Sequence, residues 1–199
     1  MSPRVLAVSR DGIHRFSKTP RAAIGLVEGM GVAGDAHAGT LVQHRSRVRR
    51  DPNQPNLRQV HLLQADLLDE ARAAGHQVGP GGLGENILTA ELDLLSLPTD
   101  TRLRIGEAVV RITGLRNPCR QIDDFSAGLL RLVVARVDGR PSGSAVTLGP
   151  TGGAESIDGV GIVRRAGVMA VVERGGEVRP GMAIDVDLPD PPHRPLTPV

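Results

Sequence analysis

The stretch TRLRIGEAVVRITG, residues 101–114, decides the fold class of this chain. Apolar residues recur in Thr101–Gly106 and again in Ala108–Thr113, with one glutamate between the two runs. This pattern predicts two short strands joined by a tight turn. The apolar run Leu94–Pro98 precedes them closely, so we expect an antiparallel sheet that is curled or closed into a barrel.

Further apolar runs extend this mostly β architecture. We expect strands at Val5–Ser9, Ala22–Val27, Arg58–Leu63, Glu85–Thr89, Ile162–Val163, Val168–Val172 and Ala183–Leu188. A helix is predicted over Gln64–Gly75, with its glycine as the C-terminal stop. A second helix is predicted from Asp123 or Asp124 to about Val134. Its buried face would consist of Leu129, Leu130, Val133 and Val134.

Length and composition fit one domain. The chain has 199 residues, 40% of them hydrophobic, and its only aromatic residues are Phe16 and Phe125. We expect a single domain over 1–188, a loop or insertion at about 140–161, and a proline-rich tail at 189–199.

Charge and targeting signals narrow the function classes. The net charge of +2 is small, so arginine usage alone does not indicate a nucleic-acid binder. The sequence has no apolar run of about 18 residues and no secretory signal, and its one cysteine cannot form an internal disulfide. We therefore expect a cytoplasmic protein that does not contact a membrane.

The only cysteine, Cys119, follows the predicted strand Ala108–Gly114 and lies between Arg116 and Arg120. Nearby cations favour the thiolate, the form that binds metals and attacks electrophiles. A lone cysteine is often just a small buried hydrophobic residue. Both interpretations stay open from local context.

Two glycine-rich loops are further candidates for the site. In Gly29–Gly39, Asp35 and His37 would face the same side of an extended segment and form a ligand or proton-handling pair, or else an Asx turn with a surface histidine. Gly79–Gly84 matches no phosphate-loop or dinucleotide pattern. Asn86, just after it, could recognise a planar heterocycle or simply pin the loop.

Two other features remain ambiguous. His61 precedes the first predicted helix, and a histidine there is more often a structural hydrogen-bonding residue than a ligand. The basic run Arg45–Arg50 lies in Leu41–Asn56, which we expect to be a mobile loop. Such a loop could close over a phosphate, but without nearby aromatic residues to stack bases it is a weak candidate for nucleic acid.

Five short motifs occur in a recognisable order: Gly34–His37, Arg58–Val60, Gly84–Ile87, Asn117–Cys119 and Gly175–Gly181. Together they resemble the motifs of MOSC domains, which are named after the C-terminal part of molybdenum cofactor sulfurases. The resemblance spans about Val5 to Leu188. It implies a mostly β fold, a MOSC-type β-barrel with a few peripheral α-helices.

The resemblance also implies a pocket for a molybdopterin-type molybdenum cofactor, with Cys119 as the molybdenum ligand. A thiolate is a suitable soft ligand for a transition metal. The residues implied in cofactor binding are Gly84, Glu85, Asn86, Arg116, Asn117, Arg120, Gln121 and His61. Asp35 and His37 would be candidates for proton delivery.

The implied activity is reduction of N-hydroxylated small molecules, such as amidoximes. The sequence lacks a four-cysteine iron–sulfur pattern and a dinucleotide fingerprint, so a separate electron-donor protein would be needed. The alternative is a non-catalytic sulfur or cofactor carrier with Cys119 as the persulfide site and a cysteine desulfurase as partner. Pyridoxal phosphate is not expected, because Lys18, the only lysine, lies in a predicted N-terminal turn.

Overall fold

A computed structural model describes residues 2–44, 48–49, 51–136 and 161–199. The predicted loop or insertion at about 140–161 therefore lies almost entirely outside the described residues. So do Arg45, Ser46, Arg47 and Arg50 of the basic run.

Strands dominate the described part of the chain. They are β1 (Arg4–Arg10), β2 (Thr19–Arg21), β3 (Ile24–Val27), β4 (Gly31–Val32), β5 (Val60–Gln64), β6 (Ile87–Ala90), β7 (Arg102–Ile105), β8 (Ala108–Leu115), β9 (Val134–Arg136), β10 (Ile162–Arg164), β11 (Val168–Arg174), β12 (Gly176–Val178) and β13 (Asp185–Asp187). The helices are α1 (Ala65–Ala73), α2 (Gln121–Phe125) and α3 (Leu130–Val133).

Eight strands form one curled, half-barrel sheet in the order β13-β7-β8-β11-β5-β6-β1-β2. Its described strand pairs are antiparallel except β5 and β6, which are parallel and are connected through α1. Strands β12, β3 and β4 form a small second sheet, and β9 pairs with β10. The predicted fold class, mostly β with few helices, is confirmed.

The stretch at 101–114 forms the predicted hairpin. Strands β7 and β8 pair from Arg102 opposite Arg111 to Ile105 opposite Ala108. Gly106 takes a φ of 62° in the two-residue turn, a conformation that glycine adopts without strain. Leu103 and Ile105 are buried, while the alternating Arg102 and Arg104 are exposed.

Strand β5 contributes to two hydrophobic cores. Leu62 packs in one core with residues of the curled sheet, and Leu63 packs on the opposite face with α1, α2 and α3. Successive side chains of a strand point to opposite faces, so both faces of the sheet centre are closed to water. The α1 prediction is confirmed, with Leu67, Leu68 and Ala71 buried.

Two predicted elements are wrong. Leu94–Pro98 is a turn and not a strand, because Asp93 organises it: the Leu95 N–H donates to Asp93 Oδ1 at 3.2 Å. The predicted helix from Asp123 to Val134 is two short helices, separated around Gly128, whose φ is 87°. All four residues of its predicted buried face are nevertheless buried: Leu129, Leu130, Val133 and Val134.

The proline-rich segment 189–199 packs along β8. The Leu115 N–H donates to the Thr197 carbonyl at 2.9 Å, and the Val199 N–H donates to the Leu115 carbonyl at 3.2 Å. The pairing of β7 with β8 ends at Arg111, so the backbone groups of β8 beyond this residue have no partner in β7. Segment 189–199 supplies partners for Leu115, as buried backbone groups require. No described helix is long and apolar enough to cross a membrane.

Candidate functional site

A cationic cleft lies where the loop after β1, the loop after β4 and the start of α2 meet. Its volume is about 640 Å³ including the open mouth. The lining includes Arg15, Lys18, Arg58 and Arg116. Three histidines also line it: His37, His44 and His61. None of the described residues that line the cleft is an aspartate or glutamate, so the cleft is suited to an anionic ligand.

Asp35 organises one wall of the cleft. Its Oδ2 accepts hydrogen bonds from Lys18 Nζ at 2.8 Å and from Asn86 Nδ2 at 3.0 Å. Its Oδ1 accepts from the His37 backbone N–H at 2.9 Å and lies 3.2 Å from His37 Nδ1. The Asx turn that the sequence offered as one alternative is therefore present, and the two side chains also contact each other. When Nδ1 donates to the carboxylate, Nε2 is the ring nitrogen of His37 that can still exchange a proton with a ligand.

Burial alone would raise the pKa of Asp35. The hydrogen bond with His37 and the ion pair with Lys18 outweigh burial, so the pKa of Asp35 lies well below its usual range. Burial lowers the pKa of Lys18, and the Asp35 carboxylate opposes that shift. The two buried groups therefore depend on each other for their charges.

Sequence reasoning missed Lys18, although the structure brings it into the cleft wall beside Asp35. It also missed Arg15 and Arg58, which line the cleft from two different loops. The one available signal was that Lys18 is the single lysine in a chain rich in arginine.

The glycines of Gly79–Gly84 let another loop approach closely. A Cβ on Gly81 would lie 2.1 Å from the Lys18 carbonyl oxygen, and one on Gly84 would lie 2.6 Å from the Phe16 carbonyl oxygen. Both glycines have a φ of +79°. The backbone of residues 16–18 can therefore rest on this loop only because side chains are absent.

The buried Glu85 side chain holds the same loop together through two backbone hydrogen bonds. Its Oε1 accepts the Gly81 N–H at 2.5 Å, and its Oε2 accepts the Leu83 N–H at 3.1 Å. Burial raises the pKa of Glu85 from 4.5 to about 7, although these N–H groups and the charge of Arg116 oppose the shift. Glu85 thus stabilises the loop and does not line the cleft.

Replacing Glu85 with glutamine is expected to cost about 1–3 kcal/mol, because the new amide cannot accept from both backbone donors. Since folding raises the pKa of Glu85, this group makes the wild type lose stability as pH rises from about 4.5 to about 7. Urea unfolding between about pH 5 and pH 8 measures the free energy of unfolding of both proteins. The difference between wild type and variant should therefore shrink as pH rises. A difference in free energy of unfolding that stays constant with pH would contradict this assignment. The control is Glu107→Gln, at an exposed position.

Asn86 and His61 border the cleft but are engaged within the protein. Asn86 donates to Ser9 O and Asp35 Oδ2, and its Oδ1 accepts the His61 N–H at 3.1 Å. His61 Nε2 lies 2.7 Å from the Ala166 carbonyl oxygen. Burial, aided by the charge of Arg116, holds the pKa of His61 well below its usual range. The geometry therefore favours the structural interpretation of both residues.

Arg116 has an unpaired donor. Its Nη1 atom is buried and has no hydrogen-bond partner among the described residues. The guanidinium carbon lies 5.8 Å from the centre of the Phe16 ring. Burial lowers the pKa of Arg116, and the nearby Cys119 and Glu85 oppose that shift. A buried charged donor without a partner is costly, so an anion in the cleft would complete this site.

Cys119 lies on the loop that leads into α2. It is partly exposed, and its Sγ is 3.6 Å from Gln121 Oε1. Arg116, three residues before it, and Gln121, two residues after it, both line the cleft. No group of three or more His, Cys, Asp or Glu residues within the described ranges could hold a metal ion.

The family model for MOSC domains matches residues 50–185. This chain belongs to the MOSC domain family. No curated protein has a detectably similar sequence.

Solved structures share the MOSC fold. The YuaD protein from Bacillus subtilis matches with a TM-score of 0.69 and 19% identity over 96% of this chain and 98% of its own. YiiM from Geobacillus stearothermophilus has a TM-score of 0.55 and 12% identity, covering 93% of this chain and 75% of its own. YiiM from Escherichia coli has a TM-score of 0.54 and 16% identity, covering 96% and 73%. At these identities the likeness concerns the fold alone.

Cys119 itself and two residues beside it in this MOSC domain lie outside the described cleft lining. The Arg120 side chain is 79% exposed and pairs with Asp124 at 3.4 Å, so the structure does not bring it to the site. Asn117 Oδ1 accepts a hydrogen bond from Arg164 Nε at 3.0 Å, which ties the cysteine loop to β10. Proximity to Cys119 in sequence therefore does not place either residue in the site.

Proposed function

We propose that this MOSC protein binds a molybdopterin-type molybdenum cofactor in the cationic cleft, with the Cys119 thiolate as molybdenum ligand, and that it reduces N-hydroxylated compounds. The observation that carries the proposal is the position of the only cysteine. Cys119 lies between Arg116 and Gln121, which both line the cationic cleft. Cys119 is not itself a lining residue, so in a MOSC domain this position supports a soft ligand beside a cleft that is suited to an anion.

The chemistry of the cleft fits such a cofactor. The buried Nη1 of Arg116, which has no partner among the described residues, could donate a hydrogen bond to a phosphate of the cofactor. Arginine forms strong charge-assisted hydrogen bonds with phosphate. Arg15 and Arg58 add positive charge to the lining. The thiol of Cys119 is partly exposed, so its sulfur can be reached without unfolding the loop.

When bound, the cofactor supplies two-electron redox chemistry at molybdenum. Reduction of an N–OH group consumes two electrons and two protons, breaks the N–O bond, and gives an N–H group and water. Asp35 orients His37 through Nδ1, and His37 Nε2 is the atom from which a proton passes to the leaving oxygen. Asp35 acts through His37 and Lys18, so it is a positioning residue.

The direct test is to express the protein in a host that makes the molybdenum cofactor and to measure molybdenum and pterin. About one molybdenum per chain is expected. Reduction of an amidoxime with viologen as artificial electron donor should then follow. A pure, folded protein without molybdenum, or a loaded protein that reduces no N-hydroxylated compound, would contradict the proposal.

Replacing Arg116 with glutamine is expected to weaken cofactor retention roughly 10- to 100-fold, the value of one charge-assisted hydrogen bond. The matched control is Arg120→Gln, four residues away and exposed, which should retain the cofactor like the wild type. Molybdenum and pterin remaining after dialysis are the readouts. Equal retention by both variants would show that Arg116 does not hold the cofactor.

A second candidate function is sulfur transfer, favoured by the partial exposure of Cys119. A cysteine desulfurase would pass its persulfide sulfur to the Cys119 thiolate, which becomes the persulfide while the desulfurase thiol is regenerated. The protein would then be isolated without molybdenum and would accept labelled sulfur from the desulfurase. Molybdenum content separates the two functions.

A further inference from the structure

Residues 194–199, which we call the strap, lie against the end of β8. The Leu115 N–H donates to the Thr197 carbonyl at 2.9 Å, and the Val199 N–H donates to the Leu115 carbonyl at 3.2 Å. Leu115 and Pro198 form a parallel bridge. The strap therefore pairs with the end of β8 like a short parallel strand.

The start of the strap is held by the turn before β7. The Thr99 N–H donates to the Arg194 carbonyl at 2.9 Å, and Thr99 Oγ1 donates to the Pro195 carbonyl at 3.1 Å. The Arg194 guanidinium pairs with the Asp100 carboxylate. Because the strap is fixed at several points, the position of Val199 is defined by the fold.

Gly114 leaves room for the strap. A Cβ at this position would lie 2.3 Å from the Thr197 carbonyl oxygen and 2.7 Å from Val199 Cγ1. The φ of Gly114 lies outside the left-handed region, so the backbone conformation does not itself require glycine. A glycine within a strand often marks the close approach of another backbone. The strap supplies that close approach here.

The strap reaches the cleft through Arg58. Arg58 Nη1 donates to the Val199 carbonyl oxygen at 2.7 Å, and Arg58 lines the cleft. Val42 and Arg58 also line a second hollow of about 600 Å³, including its open mouth, and the lining of this hollow contains Pro198 and Val199. Arg58 thus lies on the border between the two spaces, and its contact with Val199 fixes the guanidinium group there.

We propose that the strap positions Arg58 to bind an oxyanion in the cationic cleft, with Val199 as the positioning residue. This inference rests on the proposed function, since the oxyanion would be the phosphate of the cofactor. An arginine side chain loses rotamer freedom when it binds a ligand, and that loss weakens binding. A side chain that the fold already holds loses less, so it binds the anion more tightly.

The test uses Gly114→Ala, whose new Cβ would push the strap away from β8. The matched control is Gly25→Ala in β3, where a Cβ would lie 3.7 Å from the Ala33 Cβ, an ordinary contact. A second variant, Val199→Pro, leaves β8 unchanged and removes the N–H that donates to Leu115.

Two measurements are made on the full chain purified without cofactor. Amide hydrogen exchange at Leu115 reports whether the strap has moved. Calorimetric titration gives the Kd of sulfate, a probe whose charge does not change near neutral pH. A merely structural role of the strap would lower stability but leave the Kd of the folded protein unchanged.

Both strap variants should exchange the Leu115 amide faster and raise the Kd of sulfate roughly 3- to 10-fold. The control should stay within about 2-fold of the wild type. Arg58→Gln should raise the Kd roughly 10-fold or more. Adding Gly114→Ala to Arg58→Gln should then change the Kd by less than about 2-fold, because the strap acts through Arg58.

The inference is overturned if the Leu115 amide stays protected in both strap variants, or if it exchanges faster while the Kd of sulfate is unchanged. Tighter binding by the variants would show that the strap blocks Arg58. An equal loss of affinity in the Arg58→Gln background would exclude Arg58 as the route. These results leave the proposed function standing. A wild type that binds no sulfate rejects the anion site and the inference with it. The expected sulfate results from a protein that takes up no molybdenum support the positioning of Arg58 and reject the proposed function.

Discussion

Replacing Cys119 with alanine is expected to leave a folded protein that retains less than about one tenth of the wild-type molybdenum when both are made in a cofactor-competent host. The variant removes the one thiolate ligand that the chain offers, since no other cysteine is present. Little stability should be lost, because the side chain is partly exposed and its described contact is a long one, 3.6 Å to Gln121.

Metal analysis beside thermal unfolding checks this prediction, with Asp124→Ala as the control from the helix that follows. Cys119→Ser should retain an intermediate amount, because an oxygen ligand is harder than sulfur. Full molybdenum in the alanine variant would show that the metal is held without this cysteine. A wild-type protein that lacks molybdenum but accepts labelled sulfur would assign Cys119 to sulfur transfer.

Replacing Asp35 with alanine is expected to lower the free energy of unfolding by about 3–5 kcal/mol, because it leaves the buried Lys18 ammonium without its counter-charge. The same change removes the acceptor of Asn86 and of His37. Urea unfolding at neutral pH measures the loss. The double variant Lys18→Met/Asp35→Leu should recover only the part that comes from the unpaired charge, because Asn86 and His37 still lack their acceptor.

Asp69→Ala is the control for a surface pair, because Asp69 and Arg72 are both well exposed, and it should change stability by less than about 0.5 kcal/mol. The Asp35 effect should also depend on pH. Folding lowers the pKa of Asp35 below 3.8, so its contribution is present above about pH 4 and is lost as pH falls through the lower, folded-state value. A gap between wild type and Asp35→Ala that does not shrink below about pH 4 would contradict the ion-pair assignment.

Local signals were enough for the features that depend on neighbouring residues. The β7–β8 hairpin follows from alternation and a glycine turn within 101–114. The contact of Asp35 with His37 spans two residues. The incorrect strand at Leu94–Pro98 has a local cause as well, because the Asp93 side chain forms a turn that competes with an extended strand.

The rest of the site depends on contacts between distant segments. Lys18 meets Asp35 across 17 positions, and Arg58 reaches the cleft only because β5 lies at the centre of the curled sheet. Arg120 shows the converse, since the turn into α2 directs it to solvent although it adjoins the cysteine. Sequence spacing cannot supply such pairings when no periodic pattern links the segments.

The packing of segment 189–199 has a practical consequence for protein engineering. Arg58 Nη1 donates to the Val199 carbonyl oxygen at 2.7 Å, and Arg58 lines the cleft. Any affinity tag, fluorescent label or fusion partner attached after Val199 would emerge beside the cleft wall and compete for space with whatever binds there.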